Sequence, residues 1–269
     1  MCADEKMYHW NAEEYRTSSS NQKKWALELL SKLELKGNER VLDIGCGDGE
    51  ITATIAQRLP RGFAVGIDSS KEMIDLATRR FPSEHYPNIT FLLKDATALD
   101  FPEEFDAVFS NACLHWVIDH QPVLAGVRRC LKPSGRVLLQ MGGKGNAATV
   151  LEAIDCVLKT SRWAKHFDGF VFPYAFHGPD DYRPWLGALG FSISRIELLT
   201  KDMVHGGSDG FAAWLRTTWL PYTERVPEFL REEFLYEIVA AHARIRPPDA
   251  DGRIHLTMVR LEVEAVKGS

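Results

Sequence analysis

The residues best equipped for chemistry in this 269-residue chain are Asp43, Gly45, Gly47, Gly49 and Asp68. Glycine accepts positive φ and leaves no Cβ between the main chain and a ligand. A glycine-rich turn therefore lets an adenosyl-like group approach the backbone closely. Asp68 stands 23 residues beyond Gly45, at the end of the apolar run Phe63-Ala64-Val65-Gly66-Ile67. The ribose-binding acid of a dinucleotide site stands roughly 20 residues beyond its glycines. A carboxylate there accepts both ribose hydroxyls and repels a 2′-phosphate. The glycines nonetheless depart from the dinucleotide pattern, because G-x-G-x-x-G needs a glycine at Glu50. The turn reads D-x-G-x-G-x-G from Asp43 to Gly49. By itself it also suits other α/β enzymes. A nicotinamide-dependent oxidoreductase is disfavoured by Glu50 and by the lack of a Tyr/Lys or Cys constellation near the strand ends.

Two further stretches offer functional groups. Asp95 follows the apolar run Ile89–Leu93, where it accepts from an adenine amine or simply caps a helix. His115 and Trp116 follow the run Phe105–Ser110. A histidine there serves as a general base for an alcohol or ammonium acceptor, or as a hydrogen-bonded loop residue that shapes the pocket beside Trp116.

These residues need a frame that brings strand ends together. Apolar runs predict strands at 40–44, 62–67, 89–93, 105–110 and 135–141, with helices at 49–59, 70–80, 119–131 and 147–160. Alternation at this pitch predicts βαβ units and one parallel sheet, whose ligands bind at the carboxyl ends of the strands. Pro133-Ser134-Gly135 reads as the turn launching the fifth strand. Upstream, the aromatics Tyr8, His9, Trp10 and Tyr15 cover a core edge or form a lid. A helix through Trp25, Leu29, Leu30 and Leu33 follows, capped by Ser20 or Asn21 and ended by Gly37-Asn38. Downstream, a helix at Tyr182–Leu189 and a strand at Phe191–Leu199 precede an aromatic-rich helical segment, 208–246. A last strand, Ile254–Ala265, closes the chain.

The expected fold class is thus α/β: a Rossmann-like seven-stranded, mostly parallel sheet flanked by helices, with a helical cap inserted before the last strand. The corresponding domains are an N-terminal segment 1–36, a cofactor-binding core 37–207, a substrate cap 208–246 and a final strand 247–269. Most cap aromatics pack as core, but Trp214, Arg216, Thr217, Trp219 and Tyr222 are closely grouped. A guanidinium with hydroxyl donors suits a carboxylate, so Arg216, Arg244 and Arg246 are candidate clamps.

Composition sets outer bounds. With 45% hydrophobic and 26% charged residues and a net charge of −5, the chain is ordinary for a globular protein and shows no electrostatic footprint for nucleic acid. The charged start MCADEKMYHW is no signal peptide, and no run nears the roughly 18 apolar residues of a membrane span. Five scattered cysteines without a C-x-x-C pair argue for a reduced, cytoplasmic protein without thiolate metal sites. A monomer or weak homodimer is expected.

The turn at Asp43–Gly49 resembles the first motif of class I S-adenosylmethionine-dependent methyltransferases, and four ordered features over 40–141 sit where that superfamily places them. The resemblance implies S-adenosyl-L-methionine as cofactor, with Asp43 close to its cationic methionine end. It implies a cofactor site of Asp43, Gly45, Cys46, Gly47, Asp68, Ser69, Met73, Asp95, Ala96 and Asn111. The strand-four exit lacks the [NDS]-P-P-[YFW] signature of adenine and cytosine N-methyltransferases and the paired glutamates of protein arginine methyltransferases. No convincing metal set of the catechol type is present. The string S-N-A-C-L-H-W-V-x-D-H, with W-N-A-E-E-Y at the start, resembles the trans-aconitate methyltransferase family. It is also similar to insect juvenile-hormone-acid and biotin-pathway malonyl-carrier-protein methyltransferases. These families methylate carboxylates, which implies a small acid as acceptor and Tyr8, Trp10, Trp116, Trp214, Arg216, Trp219 and Tyr222 as its contacts. An ionised acid needs no general base, so His115 is catalytic only for an amine or hydroxyl of a natural product. A non-catalytic S-adenosylmethionine-binding regulator is the remaining alternative.

Overall fold

A computed structural model describes residues 20–268. Tyr8, His9, Trp10 and Tyr15 lie outside the described residues. Strands β1 (Arg40–Ile44), β2 (Phe63–Asp68), β3 (Ile89–Leu93), β4 (Phe105–Asn111), β5 (Leu131–Gly142), β6 (Phe191–His205) and β7 (Ile254–Lys267) form a sheet of order β3-β2-β1-β4-β5-β7-β6. Pairs β1–β2, β2–β3, β1–β4 and β4–β5 are parallel, while β7 runs antiparallel to β5. The helices are α1 (Ser20–Leu30), α2 (Glu50–Gln57), α3 (Lys71–Arg80), α4 (Gln121–Cys130), α5 (Ala148–Leu158), α6 (Ser161–Ala164), α7 (Pro179–Ala188), α8 (Gly207–Thr218), α9 (Leu220–Thr223) and α10 (Glu228–Ile245). The seven-stranded, mostly parallel fold expected from the sequence is therefore present.

The described residues divide into two compact units. One holds Ser20–Lys144, Tyr174–Leu199 and residues 260–268. Its inner strands are buried on both faces, as parallel strands between helices must be. Adjacent residues of β1 feed opposite faces, as a two-residue period requires. Val41 packs with Leu29, Ile55, Leu59 and Phe109, and Leu42 with Val108, Leu124, Tyr182 and Leu186. The amphipathic faces of α1, α2, α4 and α7 supply the covering side chains.

The other unit holds Gly145–Pro173 and Thr200–Val259. Within it α10 packs on α5 and α8. Phe234 of α10 lies against Trp163 and Phe167, with ring centroids 5.1 and 5.7 Å apart. Trp163 donates its Nε1–H to Glu237 at 2.6 Å. Among the described residues no helix is long and apolar enough to cross a membrane.

Most element boundaries shift by a residue or two, and four differences have a visible physical cause or a larger extent. Helix α1 stops at Leu30, not at Gly37-Asn38, because Lys32 and Leu33 turn back onto the Leu29 and Leu30 carbonyls in tighter i to i−3 bonds. The 36–38 segment instead wraps the Glu39 carboxylate, which accepts from the N–H groups of Lys36, Gly37 and Asn38 at 2.6, 2.9 and 3.1 Å. Burial raises the Glu39 carboxyl, but these backbone donors together hold it below its ordinary value. The Pro133–Gly135 turn falls inside β5, with Ser134 at φ +61° and a register shift against β4. Helix α7 begins at Pro179, a residue suited to a first helical turn, instead of at Tyr182. Strand β6 continues past Leu199 to His205.

Candidate active site

The glycine turn sits where β1 meets α2. Gly45 has φ +76° and donates its N–H to the Ile67 carbonyl at 2.8 Å. A Cβ at Gly45 would lie 2.2 Å from the Cys113 Cβ, so both backbone angle and space exclude a side chain. Gly47, at φ +53°, faces open space, with nothing within 4 Å of a Cβ built there. Its N–H donates to Asp68 Oδ2 at 3.0 Å, and the Ser70 N–H donates to Asp68 Oδ1 at 2.9 Å. The end of β2 is thus tied to the turn by one carboxylate held in a fixed orientation.

The other expected cofactor residues fall along the same row of strand ends. Asp43 is inside β1, Cys46 follows Gly45, Ser69 follows β2, and Met73 is buried in the first turn of α3. Asp95 follows β3 and caps a short 3-10 turn that starts at Ala96. Its Oδ1 accepts from both the N–H and the Oγ1 of Thr97, at 2.6 and 2.7 Å. Asn111 ends β4 and is half-buried beside Gln140 of β5. In the sheet order β3-β2-β1-β4 these positions are neighbours, so the structure gathers them at one edge.

The electrostatics of that edge are anionic. Asp43 is 2% exposed and accepts from Thr52 Oγ1 at 2.7 Å. Burial pushes its carboxyl up to about 7, the Thr52 bond opposes this, and the charge of Asp68 adds to it. No cation pairs with Asp43 among the described residues. Burial also raises Asp68, against the backbone donors of Ser70, Gly47 and Ser69. Burial, then the charges of Asp68, Asp43 and Asp95, push the Cys113 thiol well above its ordinary value. The carboxylates of Asp43 and Asp68 beside this turn favour a cationic ligand and oppose a pyrophosphate. Among the described residues no group of side chains could hold a metal ion.

Beyond β4 the chain turns sharply, with Ala112 held at φ +55°, into a 3-10 turn over Leu114–Trp116. The His115 ring lies among Trp116, Tyr174 and Phe176, at centroid distances of 5.9, 6.2 and 6.2 Å. The Gly142 N–H points at its Nδ1 from 3.4 Å, which makes Nδ1 the acceptor and puts the proton on Nε2. Burial, then the charges of Arg260 and His120, lower the imidazole to about 3. Arg260 pairs with Gly142 across the β5–β7 ladder, is 3% exposed, and stacks its guanidinium 5.0 Å from the Trp25 ring. His120 fixes this exit from below. Its Nε2 donates to the Leu114 carbonyl at 2.7 Å, and its Nδ1 accepts from Tyr182 at 2.6 Å. Sequence reasoning missed Arg260, Thr52, Tyr174 and Phe176. The aromatic density of the 170–177 loop is the one local signal among them.

The remaining expected substrate residues belong to the helical unit, except Trp116 and the undescribed Tyr8 and Trp10. Trp214, Trp219 and Tyr222 are buried and form a continuous chain of rings, 5.9 and 5.7 Å apart, that continues from Tyr222 to Phe170. Arg216 turns its Nε and Nη2 to the two carboxylate oxygens of Glu232, both at 2.8 Å. Arg244 is exposed, and Arg246 donates to Thr257 Oγ1 at 2.6 Å.

Known proteins share this fold and much of this sequence. A methyltransferase domain model matches residues 41–135. In solved structures, the YcgJ protein of Bacillus subtilis superposes with a TM-score of 0.62 at 19% identity, covering 91% of this chain and 99% of that one. The phosphoethanolamine N-methyltransferase 2 of Haemonchus contortus, in complex with S-adenosyl-L-methionine, gives 0.60 at 20% identity over 96% of this chain and 57% of that one. These show the shared fold. By sequence, the trans-aconitate 2-methyltransferase of Agrobacterium fabrum is 30% identical over 96% of this chain and 99% of its own. An uncharacterized methyltransferase of Schizosaccharomyces pombe is 31% identical over 96% and 98%. Identity at that level along essentially the whole chain, joined to an anionic glycine turn at the strand ends, means that the protein belongs to the class I S-adenosylmethionine-dependent methyltransferases.

Proposed function

We propose that this methyltransferase forms a methyl ester on a carboxylate of a small organic acid of the trans-aconitate type. The observation that carries the proposal is the state of His115. An imidazole lowered to about 3, with Nδ1 taken by Gly142, is far too weak a base to deprotonate an alcohol or an ammonium. A carboxylate is already ionised at pH 7 and needs no base. The neutral Nε2–H then acts as a donor that orients the acceptor oxygen. The buried Arg260 guanidinium beside it favours an anion and opposes a protonated amine.

The residues present fit the cofactor, because a buried, raised Asp43 gains most from a ligand that brings a positive charge. S-adenosylmethionine, when bound, supplies an electrophilic methyl group on a sulfonium. In this reading Asp43 faces its cationic end, with Gly45, Cys46, Gly47 and Asn111 as the walls. Asp68 takes the ribose hydroxyls, while Ser69, Met73, Asp95 and Ala96 surround the adenine. Both capping bonds of Asp95 use Oδ1, which leaves Oδ2 for an adenine amine. Trp116, Tyr174 and Phe176 exclude water around His115, and catalysis comes from positioning and desolvation. Arg216 has its Nε–Nη2 edge given to Glu232, so a clamp built on that edge would have to displace the Glu232 carboxylate. A cytoplasmic protein working without nucleic acid accompanies this reading, supported by the free cysteines and the net charge of −5.

The test is a screen of di- and tricarboxylic acids with S-adenosylmethionine, followed by mass spectrometry of the product. Methyl ester that base hydrolyses back to the acid is expected. Methylation of an amine or hydroxyl instead would overturn the proposal while leaving the family intact.

A further inference from the structure

One hydroxyl reaches both of the backbone segments that flank the His115 ring. Tyr182 of α7 donates its O–H to His120 Nδ1 at 2.6 Å, and the same oxygen lies 3.2 Å from Met141 Sδ on β5. His120 passes the contact on, because its Nε2–H donates to the Leu114 carbonyl at 2.7 Å. That carbonyl belongs to the peptide joining Leu114 to His115. It also accepts from the Val117 N–H at 2.9 Å, so both of its lone pairs are used. Met141 immediately precedes Gly142, whose N–H points at His115 Nδ1. Leu114, His120, Met141 and Tyr182 are all fully buried.

His115 needs that support from outside. The Gly142 N–H reaches Nδ1 over 3.4 Å, too far for a strong hydrogen bond. Which nitrogen of a neutral imidazole keeps the proton is set by the hydrogen bond the other one makes. So weak a bond can choose the tautomer only if the His115 and Gly142 backbones are held at a fixed separation. The His115 carbonyl is held as well, accepting from the Ala175 N–H at 2.9 Å. The relay is intact at neutral pH. Burial raises the Tyr182 hydroxyl, which stays a donor. Burial, then the charge of His177, lower His120 to about 4, so its Nδ1 stays an acceptor.

We propose that Tyr182 and His120 are positioning residues for methyl transfer, locking the Leu114–His115 peptide against Met141–Gly142 so that His115 presents its Nε2–H to the acceptor. The assignment rests on the role of His115 in the carboxylate reading above. Both residues act through His115 and not on the reacting atoms. A donor misplaced by about 1 Å is costly to a reaction that depends on orientation.

Long-range proton–nitrogen spectra of the histidine-labelled full chain read the tautomer directly, with His115→Phe identifying the His115 signals. Wild type should show a protonated Nε2 and a bare Nδ1. Tyr182→Phe and His120→Phe keep the rings and delete the bonds, and in each the His115 signals should move toward a mixture of tautomers. Calorimetric affinity for S-adenosylmethionine should stay within about twofold in both, which certifies the fold. With trans-aconitate at saturating S-adenosylmethionine, Tyr182→Phe should lower kcat/KM roughly three- to tenfold. In a His115→Phe background the same substitution should have no further effect, whereas a purely structural role would lower kcat/KM equally in both backgrounds. A wild-type His115 protonated on Nδ1, or His115 signals unmoved in both variants, would overturn the proposal. A tautomer shift in a protein that methylates no carboxylic acid would uphold the positioning pair and overturn the carboxylate reading.

Discussion

Asp43→Asn should stabilise the ligand-free protein and abolish its cofactor affinity, with an effect that depends on pH in a defined way. The side chain is isosteric and still accepts from Thr52, so packing is preserved. Wild-type Asp43 has its carboxyl raised from 3.8 to about 7, chiefly by burial. Below pH 3.8 the folded and unfolded chains both hold the proton, and the acid costs nothing. Between about pH 4 and pH 7 only the unfolded chain ionises, so wild-type stability falls as pH rises. Above about pH 7 the cost is complete. Each tenfold change in proton affinity is worth about 1.36 kcal/mol, so the rise from 3.8 to about 7 corresponds to about 4 kcal/mol. The melting temperature of the variant should therefore match wild type near pH 4 and exceed it by roughly 10 °C at pH 8.

The same rise governs binding. A cationic ligand returns Asp43 to its ionised form, so S-adenosylmethionine binding at pH 6 should release close to one proton, a release that shrinks as pH rises through about 7. Calorimetry at pH 6 in two buffers of different ionisation enthalpy counts that proton. A stability difference between variant and wild type that stays flat from pH 5 to pH 8 would refute the reasoning, as would cofactor binding at pH 6 without proton release.

Other outcomes follow from the same geometry. Gly45→Ala drives a Cβ into Cys113 at a positive φ, which should cost about 3 kcal/mol or more by chemical denaturation. In a double-mutant cycle Cys113→Gly should recover the clash but leave about 1 kcal/mol of backbone strain. With His115 lowered to about 3, kcat/KM for a carboxylate acceptor at saturating S-adenosylmethionine should be flat from pH 6 to pH 9, and an ascending limb between pH 5 and 7 under that condition would contradict the base-free mechanism. His115→Phe should lower kcat/KM about tenfold through the lost donor without bending that profile. In the helical unit, Phe234→Ala removes a fully buried ring against Trp163 and Phe167 and should cost about 3–5 kcal/mol by chemical denaturation.

What the sequence discloses about this protein is local. The turn from Asp43 to Gly49 and the acid at Asp68 are legible because glycine spacing and the following strand encode them within one βα unit. Alternating strands and helices are legible for the same reason, since each apolar run buries itself whatever lies far away. The state of His115 is not local. It depends on Arg260, which β7 brings opposite Gly142, and on Tyr174 and Phe176 from a loop far along the chain. Helical spacing groups Trp214 with Arg216 but cannot show that Glu232, sixteen residues later, takes the guanidinium. The end of α1 is obscured because Glu39 folds back onto the 36–38 backbone and removes the need for a glycine stop.

Under the proposed carboxylate reading, the charges along the strand ends let one unit accept a cation and still suit an anion. Asp43, Asp68 and Asp95 lie toward the β1–β3 side, where burial makes the ionisation of Asp43 and Asp68 unfavourable until a positive ligand arrives. Arg260 lies toward the β5–β7 side, its guanidinium over Trp25 and its field felt by His115. The imidazole between them is kept neutral by burial and by that same guanidinium, so it adds a donor without adding a charge. An anionic acceptor approaching the carboxylate row alone would be repelled, whereas one approaching after a cation has bound would not. Ordered binding, cofactor before acid, follows from the arrangement and should appear as weak or absent acid binding until S-adenosylmethionine or its uncharged-sulfur product is present. The product retains the ammonium but lacks the sulfonium, so it should support acid binding less well than the cofactor does. Equal acid affinity in the free and cofactor-loaded protein would show that these carboxylates do not govern access.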